Sequence, residues 1–211
     1  MCGIFTIIRN WDSSIHFDVD RSLINRGFNK GQSRGPEHSV LSIINDNLIF
    51  GFHRLAINGL NSISNQPLIN NGISLICNGE IYNYKELKRE GSLASVNWNT
   101  AGDTEVVLQL MIREGIGTIS KLEGMFAFVF YDSETHEMVG ARDRFGMKPF
   151  LYTVVDDTFM FSSEIAPLLD HCSPSVNPVA ISSYLSFRYP FFNETFFNEI
   201  QKLEPGCVIS V

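Results

Sequence analysis

The chain has 211 residues, 44% of them hydrophobic and 18% charged, with a formal net charge of -7. That length and apolar content predict one packed domain, or one domain with an appendage, and exclude a disordered polymer. The acidic balance argues against nucleic acid or an anionic membrane surface as partner, and no apolar run approaches the ~20 residues needed to span a bilayer.

Met1-Cys2 opens the chain. Once Met1 is removed, Cys2 carries both a thiol and the free α-amino group, which titrate near ~8.5 and ~7.7–8.0 in unperturbed form. An N-terminal nucleophile served by its own amine is one way to activate a weak attacking group; the plainer role is a small residue opening a buried strand. Residues 3–9 read as that strand. Residues 11–31 are polar and mixed, with a short helix predicted over 19–24. The Gly35-Pro36 pair makes 32–38 a loop. Strands over 40–44 and 48–52 flank an Asx-rich turn and read as a hairpin. His53-Arg54-Leu55-Ala56-Ile57 then leads into an Asn-rich loop that reaches Gly72.

A strand over 73–77 runs into Asn78-Gly79, which reads as a sharp turn opening a helix that Gly91 stops. Gly102-Asp103-Thr104-Glu105 opens a further helix. Asp103 or Thr104 is its N-cap, and Val106, Val107, Leu110 and Met111 recur at helical spacing. After a turn of helix at 119–122 come strands over 125–131, 137–142, 150–154 and 158–162, the last two joined about Asp156-Asp157, and a short helix over 163–169. This order predicts an α+β protein in which two sheets pack face to face with helices outside. After Cys172 the character changes. Residues 173–178 are linker-like, 179–187 form an amphipathic helix, 191–197 are aromatic and irregular, and 202–209 turn into a strand.

The cysteines at 2, 77, 172 and 207 show no Cys-x-x-Cys spacing and the five histidines are scattered, so neither a disulfide framework nor a metal site is predicted. The N-terminus lacks the basic and hydrophobic regions of a signal peptide. With Cys2 needed as a free thiol, the expected compartment is the reducing cytoplasm.

Taken together, Cys2-Gly3-Ile4-Phe5, Arg34-Gly35-Pro36-Glu37, His53-Arg54-Leu55-Ala56-Ile57, Asn78-Gly79-Glu80-Ile81-Tyr82-Asn83 and Gly102-Asp103-Thr104-Glu105 occur in this order. Gly124-Met125-Phe126-Ala127-Phe128, Arg142-Asp143-Arg144-Phe145-Gly146-Met147-Lys148-Pro149 and Ser163-Glu164-Ile165 continue the series. The succession resembles the class II glutamine amidotransferase domain of glutamine-dependent asparagine synthetases over residues 2–172. The resemblance implies an N-terminal-nucleophile hydrolase fold, a four-layer α/β/β/α sandwich of two antiparallel sheets.

It also implies roles. Cys2 would attack the side-chain amide of L-glutamine, its α-amino group carrying the proton, and Asn78 and Gly79 would form the oxyanion hole. Arg54 suits the amino acid's carboxylate and Asp103 its ammonium, with Leu55, Ala56, Ile57 and Glu80 lining the same pocket. Each has a plainer role: a strand-to-helix turn for Asn78-Gly79, a surface ion pair for Arg54, a helix cap for Asp103. Arg34, Gly35 and Pro36 read as support for the loop beside the nucleophile, and Arg142-Asp143 with Gly146-Lys148-Pro149 as a structural turn. His53 offers a rival Cys–His pairing.

No cofactor is expected for this domain. The Ser-Gly-Gly-x-Asp-Ser phosphate loop of full-length asparagine synthetases is absent, so ATP and Mg belong to a synthetase half that the chain lacks. Residues 173–211 resemble only the lead-in to it, and the expected partner is an ATP-dependent synthetase domain or subunit. Asn58 stands where the family has an apolar residue. The alternatives are an amidotransferase feeding another amide-forming or β-lactam-forming synthetase, and a non-catalytic module that binds glutamine or docks on a partner.

Overall fold

The structure is a computed structural model that describes residues 1–9, 21–57 and 61–211. The predicted start of the first helix at 19–20 and the departure at Asn58 lie outside the described residues.

In chain order the first elements are strand β1 (Gly3–Arg9), helix α1 (Arg21–Asn29), and strands β2 (His38–Asn45), β3 (Leu48–Arg54), β4 (Leu68–Asn70) and β5 (Ile73–Ile81). Helices α2 (Tyr84–Leu87) and α3 (Thr104–Glu114) lead into strands β6 (Gly124–Asp132), β7 (Met138–Arg142), β8 (Leu151–Val155) and β9 (Thr158–Ser162). Helices α4 (Ala166–Leu169) and α5 (Pro178–Phe187) and the short strands β10 (Gln201–Lys202) and β11 (Val208–Ser210) complete the fold. One sheet has the order β10-β8-β9-β1-β3-β2 and the other β11-β7-β6-β5-β4, every pair antiparallel.

The apolar residues sort into three interfaces. Ile4, Ile8, Leu48, Phe50 and Phe52 of the first sheet meet Ile76, Ala127, Val129 and Tyr131 of the second. The alternate residues of β1, Phe5 and Ile7, turn outward onto Ile24 and Phe28 of α1 and Leu168 of α4. On the far face of the second sheet, Leu75, Cys77, Phe128 and Phe130 pack under Val106, Leu110 and Met111 of α3. A strand covered on both faces has no reason to alternate with polar residues, which is why 3–9 and 125–131 read as continuous apolar runs. The result is the α/β/β/α layering.

Three local expectations change. The Asn78-Gly79 pair is not a turn: β5 runs straight through it, with Asn78 opposite Ala127 and Gly79 opposite Phe126. Glycine is required because a Cβ there would lie 2.4 Å from the Met125 carbonyl oxygen. The helix expected to follow shrinks to the single turn α2. The hairpin turn is instead at the earlier pair, Asn71-Gly72, where both residues have positive φ (48° and 83°) and join β4 to β5. Finally, α1 continues past 24 to Asn29 through Gly27, where a Cβ would sit 2.8 Å from His171 Nε2 and 2.9 Å from the Pro167 carbonyl. That glycine permits the close approach of α1 to the turn of α4.

The stretch after Cys172 supplies an edge strand to each sheet: β10 pairs with β8 and β11 with β7. Asn177 caps α5 by accepting the Val179 and Ala180 N–H groups, both at 3.0 Å. Among the described residues no helix is long and apolar enough to cross a membrane, and no group of His, Cys, Asp and Glu is placed to hold a metal ion.

Candidate active site

Cys2 immediately precedes β1, whose Gly3 pairs with His53 on β3. Its carbonyl accepts the Arg34 Nε–H at 2.9 Å, and Arg34 in turn lies 3.4 Å from Glu164. Two residues on, the backbone of Ile4 exchanges two bonds with Ser163, each 3.0 Å. Arg34 and Ser163 thus hold the start of the chain against two separate loops. Arg34 acts more directly than loop support: it bonds the Cys2 carbonyl itself. The Cys2 Sγ lies 3.4 Å from both the Leu55 N–H, which donates to it, and the Leu55 carbonyl.

Cys2 opens onto a cleft at one end of the two sheets, which Arg54, Leu55, Ile57, Asn78, Gly79, Glu80 and Asp103 also line, together with Met1 and Lys148. Of the residues expected there, Ala56 alone is not among those lining the cleft; its N–H donates to Glu37 Oε2 at 2.9 Å.

The exposed edge of β5 forms the floor. Beyond the short partner β4, the N–H groups of Cys77, Gly79 and Ile81 point to the same side, because alternate residues of a strand do. The Cys77 N–H is taken by the Gln66 side chain, whose amide also donates to the Cys77 carbonyl at 3.1 Å. The Ile81 N–H is taken by Asp103 Oδ2 at 2.7 Å. Between them, the Gly79 N–H faces the cleft. The β6 residue opposite, Phe126, bonds instead to Asp143 on its other side through both its N–H and its carbonyl. Asn78, 1% exposed, holds its side chain between the sheets, and its Nδ2 has no hydrogen-bond partner. A buried amide donor left unpaired costs about 1–3 kcal/mol. Both residues that carry these donors line the cleft with Cys2.

Asp103 is 5% exposed and occupies the N-cap position of α3, yet its side chain makes no capping bond. The cap reading fails because the carboxylate is turned back onto β5. Nor is Arg54 a surface residue: it is 8% exposed, and its Nη1 donates to the Asn61 carbonyl at 3.2 Å and to Asn65 Oδ1. Behind Asp103, Lys88 Nζ donates to the Thr100 and Gly102 carbonyls at 3.4 and 3.1 Å and sits 4.5 Å from the centre of the Trp98 ring. Buried Glu105 accepts the Asn99 and Thr100 N–H groups at 3.0 and 2.6 Å. Burial pulls the Lys88 ammonium below its usual range, with Glu105 and Asp103 opposing the shift. Gln66, Lys88 and Glu105 escape a reading of the sequence because each acts on backbone atoms outside its own element; no motif carries them.

His53 does not serve Cys2. Its Nε2 is 2.8 Å from the Phe28 carbonyl, which can only accept, so Nδ1 takes the proton of Ser39 Oγ at 2.7 Å. The Phe28 ring stacks on it at 4.0 Å, and burial lowers its pKa, favouring the neutral ring. The Cys77 thiol is pushed well up by burial, with the nearby charge of Asp103 next in effect, and stays protonated.

A sequence model described as a glutamine amidotransferase domain matches residues 1–211 of the chain. The chain belongs to the glutamine amidotransferase domain family. The chain is 35% identical over 181 residues to glutamine-hydrolysing asparagine synthetase 1 of Bacillus subtilis, a match covering 84% of this chain and 28% of that protein. It is 31% identical over 212 residues to a putative glutamine-hydrolysing asparagine synthetase of Methanocaldococcus jannaschii, covering 90% of this chain and 40% of that protein. Against these two relatives the amidotransferase domain spans well under half of the other protein's length. Its fold is also that of the glutamine phosphoribosylpyrophosphate amidotransferase from B. subtilis, with a TM-score of 0.66 at 20% identity, over 99% of this chain and 47% of that one. The likeness shows the shared fold, and the family is that of glutamine amidotransferase domains.

Proposed function

We propose that this amidotransferase domain hydrolyses L-glutamine at Cys2. With Met1 removed, the α-amino group of Cys2 takes the thiol proton as Sγ bonds to the side-chain amide carbon. The carbonyl oxygen becomes an oxyanion facing the Gly79 N–H and Asn78 Nδ2. The amine then hands its proton to the departing nitrogen, the C–N bond breaks, and ammonia leaves. Water attacks the resulting thioester, releasing glutamate and restoring the thiol. Arg54 pairs with the substrate's α-carboxylate and Asp103 with its α-ammonium, while Leu55, Ile57 and Glu80 wall the pocket. Removing Met1 has a second effect, since its side chain lines the same cleft.

The observation that carries this reading is the unpartnered, buried Asn78 Nδ2 next to the Gly79 N–H, on residues that line one cleft with a cysteine at position 2. The relatives are named glutamine-hydrolysing asparagine synthetases and are longer than this chain, which supports the ammonia serving asparagine formation from aspartate, in an ATP- and Mg-dependent synthetase domain or subunit in the cytoplasm. The test is a glutaminase assay on the chain with Met1 removal verified by mass, wild type against Cys2→Ala. Glutamate release in the wild type alone is expected. Equal release in both ends the reading.

A further inference from the structure

The Arg142–Pro149 turn carries four charges; Arg144 is exposed, and Asp143 and Arg142 serve the backbone. Asp143, fully buried, accepts the N–H groups of Phe126, Phe145, Met147 and Lys148 at 2.9–3.2 Å. Arg142 donates to the carbonyls of Lys148, Gly146 and Leu203 at 2.6–2.8 Å. Lys148 is therefore pinned through both its N–H and its carbonyl, and its side chain is delivered elsewhere. It is 6% exposed and lines the cleft with Cys2, Asn78 and Gly79. Among the described residues its ammonium has no hydrogen-bond or ion-pair partner. The turn itself needs only the Lys148 backbone, which leaves the ammonium to face the cleft.

Most of the remaining charges around the cleft are bound, the Glu80 carboxylate being the exception among the described residues. Asp103 is bonded to β5, Arg54 to the 61–65 loop, and Arg34 to the Cys2 carbonyl beside Glu164. Glu80 lines the wall, His53 is fixed by Phe28 and Ser39, and the buried Cys77 thiol lies within reach of the Lys148 charge.

We propose that Lys148 is a positioning residue for glutamine hydrolysis: its fixed positive charge opposes protonation of the Cys2 α-amino group once Met1 is gone, keeping that amine free as the base at neutral pH. The proposal rests on the amidotransferase reading above. A free α-amine is largely ammonium at pH 7, and an ammonium cannot take the thiol proton. A like charge in the same desolvated cleft disfavours the charged form.

The test compares wild type, Lys148→Met and Lys148→Arg, each with Met1 removal verified. In Lys148→Met the acid limb of the kcat/KM profile for glutamine should move up by about one pH unit. Activity then falls about tenfold at pH 6.5 and returns to near wild type at pH 9, while Lys148→Arg overlays the wild type. A loss of equal size at every pH, or a rise in KM alone, overturns the proposal by making Lys148 a structural or substrate-contacting residue. Competitive labelling of the Cys2 amine across pH, read by mass spectrometry, gives the amine's midpoint without turnover. It should rise by the same amount in Lys148→Met, or in Lys148→Gln if the methionine variant does not fold. An unmoved midpoint refutes Lys148's role even in an active enzyme. A moved midpoint in a chain without glutaminase activity refutes the amidotransferase reading instead.

Discussion

Asn78→Ala separates activity from stability more sharply than any other substitution in the cleft. The Asn78 Nδ2 is buried and makes no hydrogen bond in the folded chain, so deleting it breaks no bond and relieves a donor whose isolation costs about 1–3 kcal/mol. Against this stands a small loss of packing, and the net change in unfolding free energy should stay within about 1 kcal/mol, a shift of about 2–4 °C in Tm. The transition state differs: a developing oxyanion would be that donor's first partner. Losing one donor of such a pair costs ~2.7–4 kcal/mol in barrier, or ~10²–10³ in kcat. The Gly79 N–H remains, so activity should not vanish, and KM should change little because the bond forms only in the transition state. Steady-state glutamate release and a thermal melt on the same preparation decide it. A kcat within tenfold of wild type would refute the oxyanion assignment, and a collapse in Tm would show that Asn78 supports the fold instead.

Asp103→Asn keeps an acceptor for the Ile81 N–H but removes the charge facing the substrate ammonium. With charged hydrogen bonds at about 1.5–3 kcal/mol, KM for glutamine should rise about tenfold or more while kcat moves far less. Lys88→Met leaves the Thr100 and Gly102 carbonyls without their shared donor; KM should rise several-fold, and kcat falling alone would contradict the loop-positioning role. The pH dependence of stability follows from His53, whose pKa burial lowers from 6.5. The unfolded chain then binds more protons below that value. The His53 contribution is present above pH 6.5 and is lost as pH falls toward the folded-state pKa; buried His171 acts in the same direction. Thermal melts from pH 7 to pH 5 should show a shallower loss in His53→Gln than in wild type, and parallel curves would assign the acid sensitivity to other groups.

The layers were legible in the sequence because strands covered on both sides announce themselves as long apolar runs. The two Asn-Gly pairs show where local chemistry misleads. Asn71-Gly72 forms the hairpin turn that its residues favour, whereas Asn78-Gly79 stays extended. The difference is tertiary: the Gly79 backbone needs room against Met125, and Asn78 reaches a space between sheets that only the packed fold creates. Cys2, Arg54 and Asp103 are pointed to by their motifs, and the fold brings them to one cleft. Gln66, Lys88 and Glu105 carry no motif, since each bonds backbone groups outside its own element and any local reading sees only a polar residue.

The two short closing strands have a consequence for anyone who would dissect or transplant this domain. β10 and β11 sit like the prongs of a clasp, one on the outer rim of each sheet, with Arg142 linked to Leu203 between them. A chain cut after Cys172 would leave β7 and β8 with open rims, and unpaired strand rims invite self-association. A portable version of this domain therefore has to carry residues through Ser210, however far they lie from Cys2.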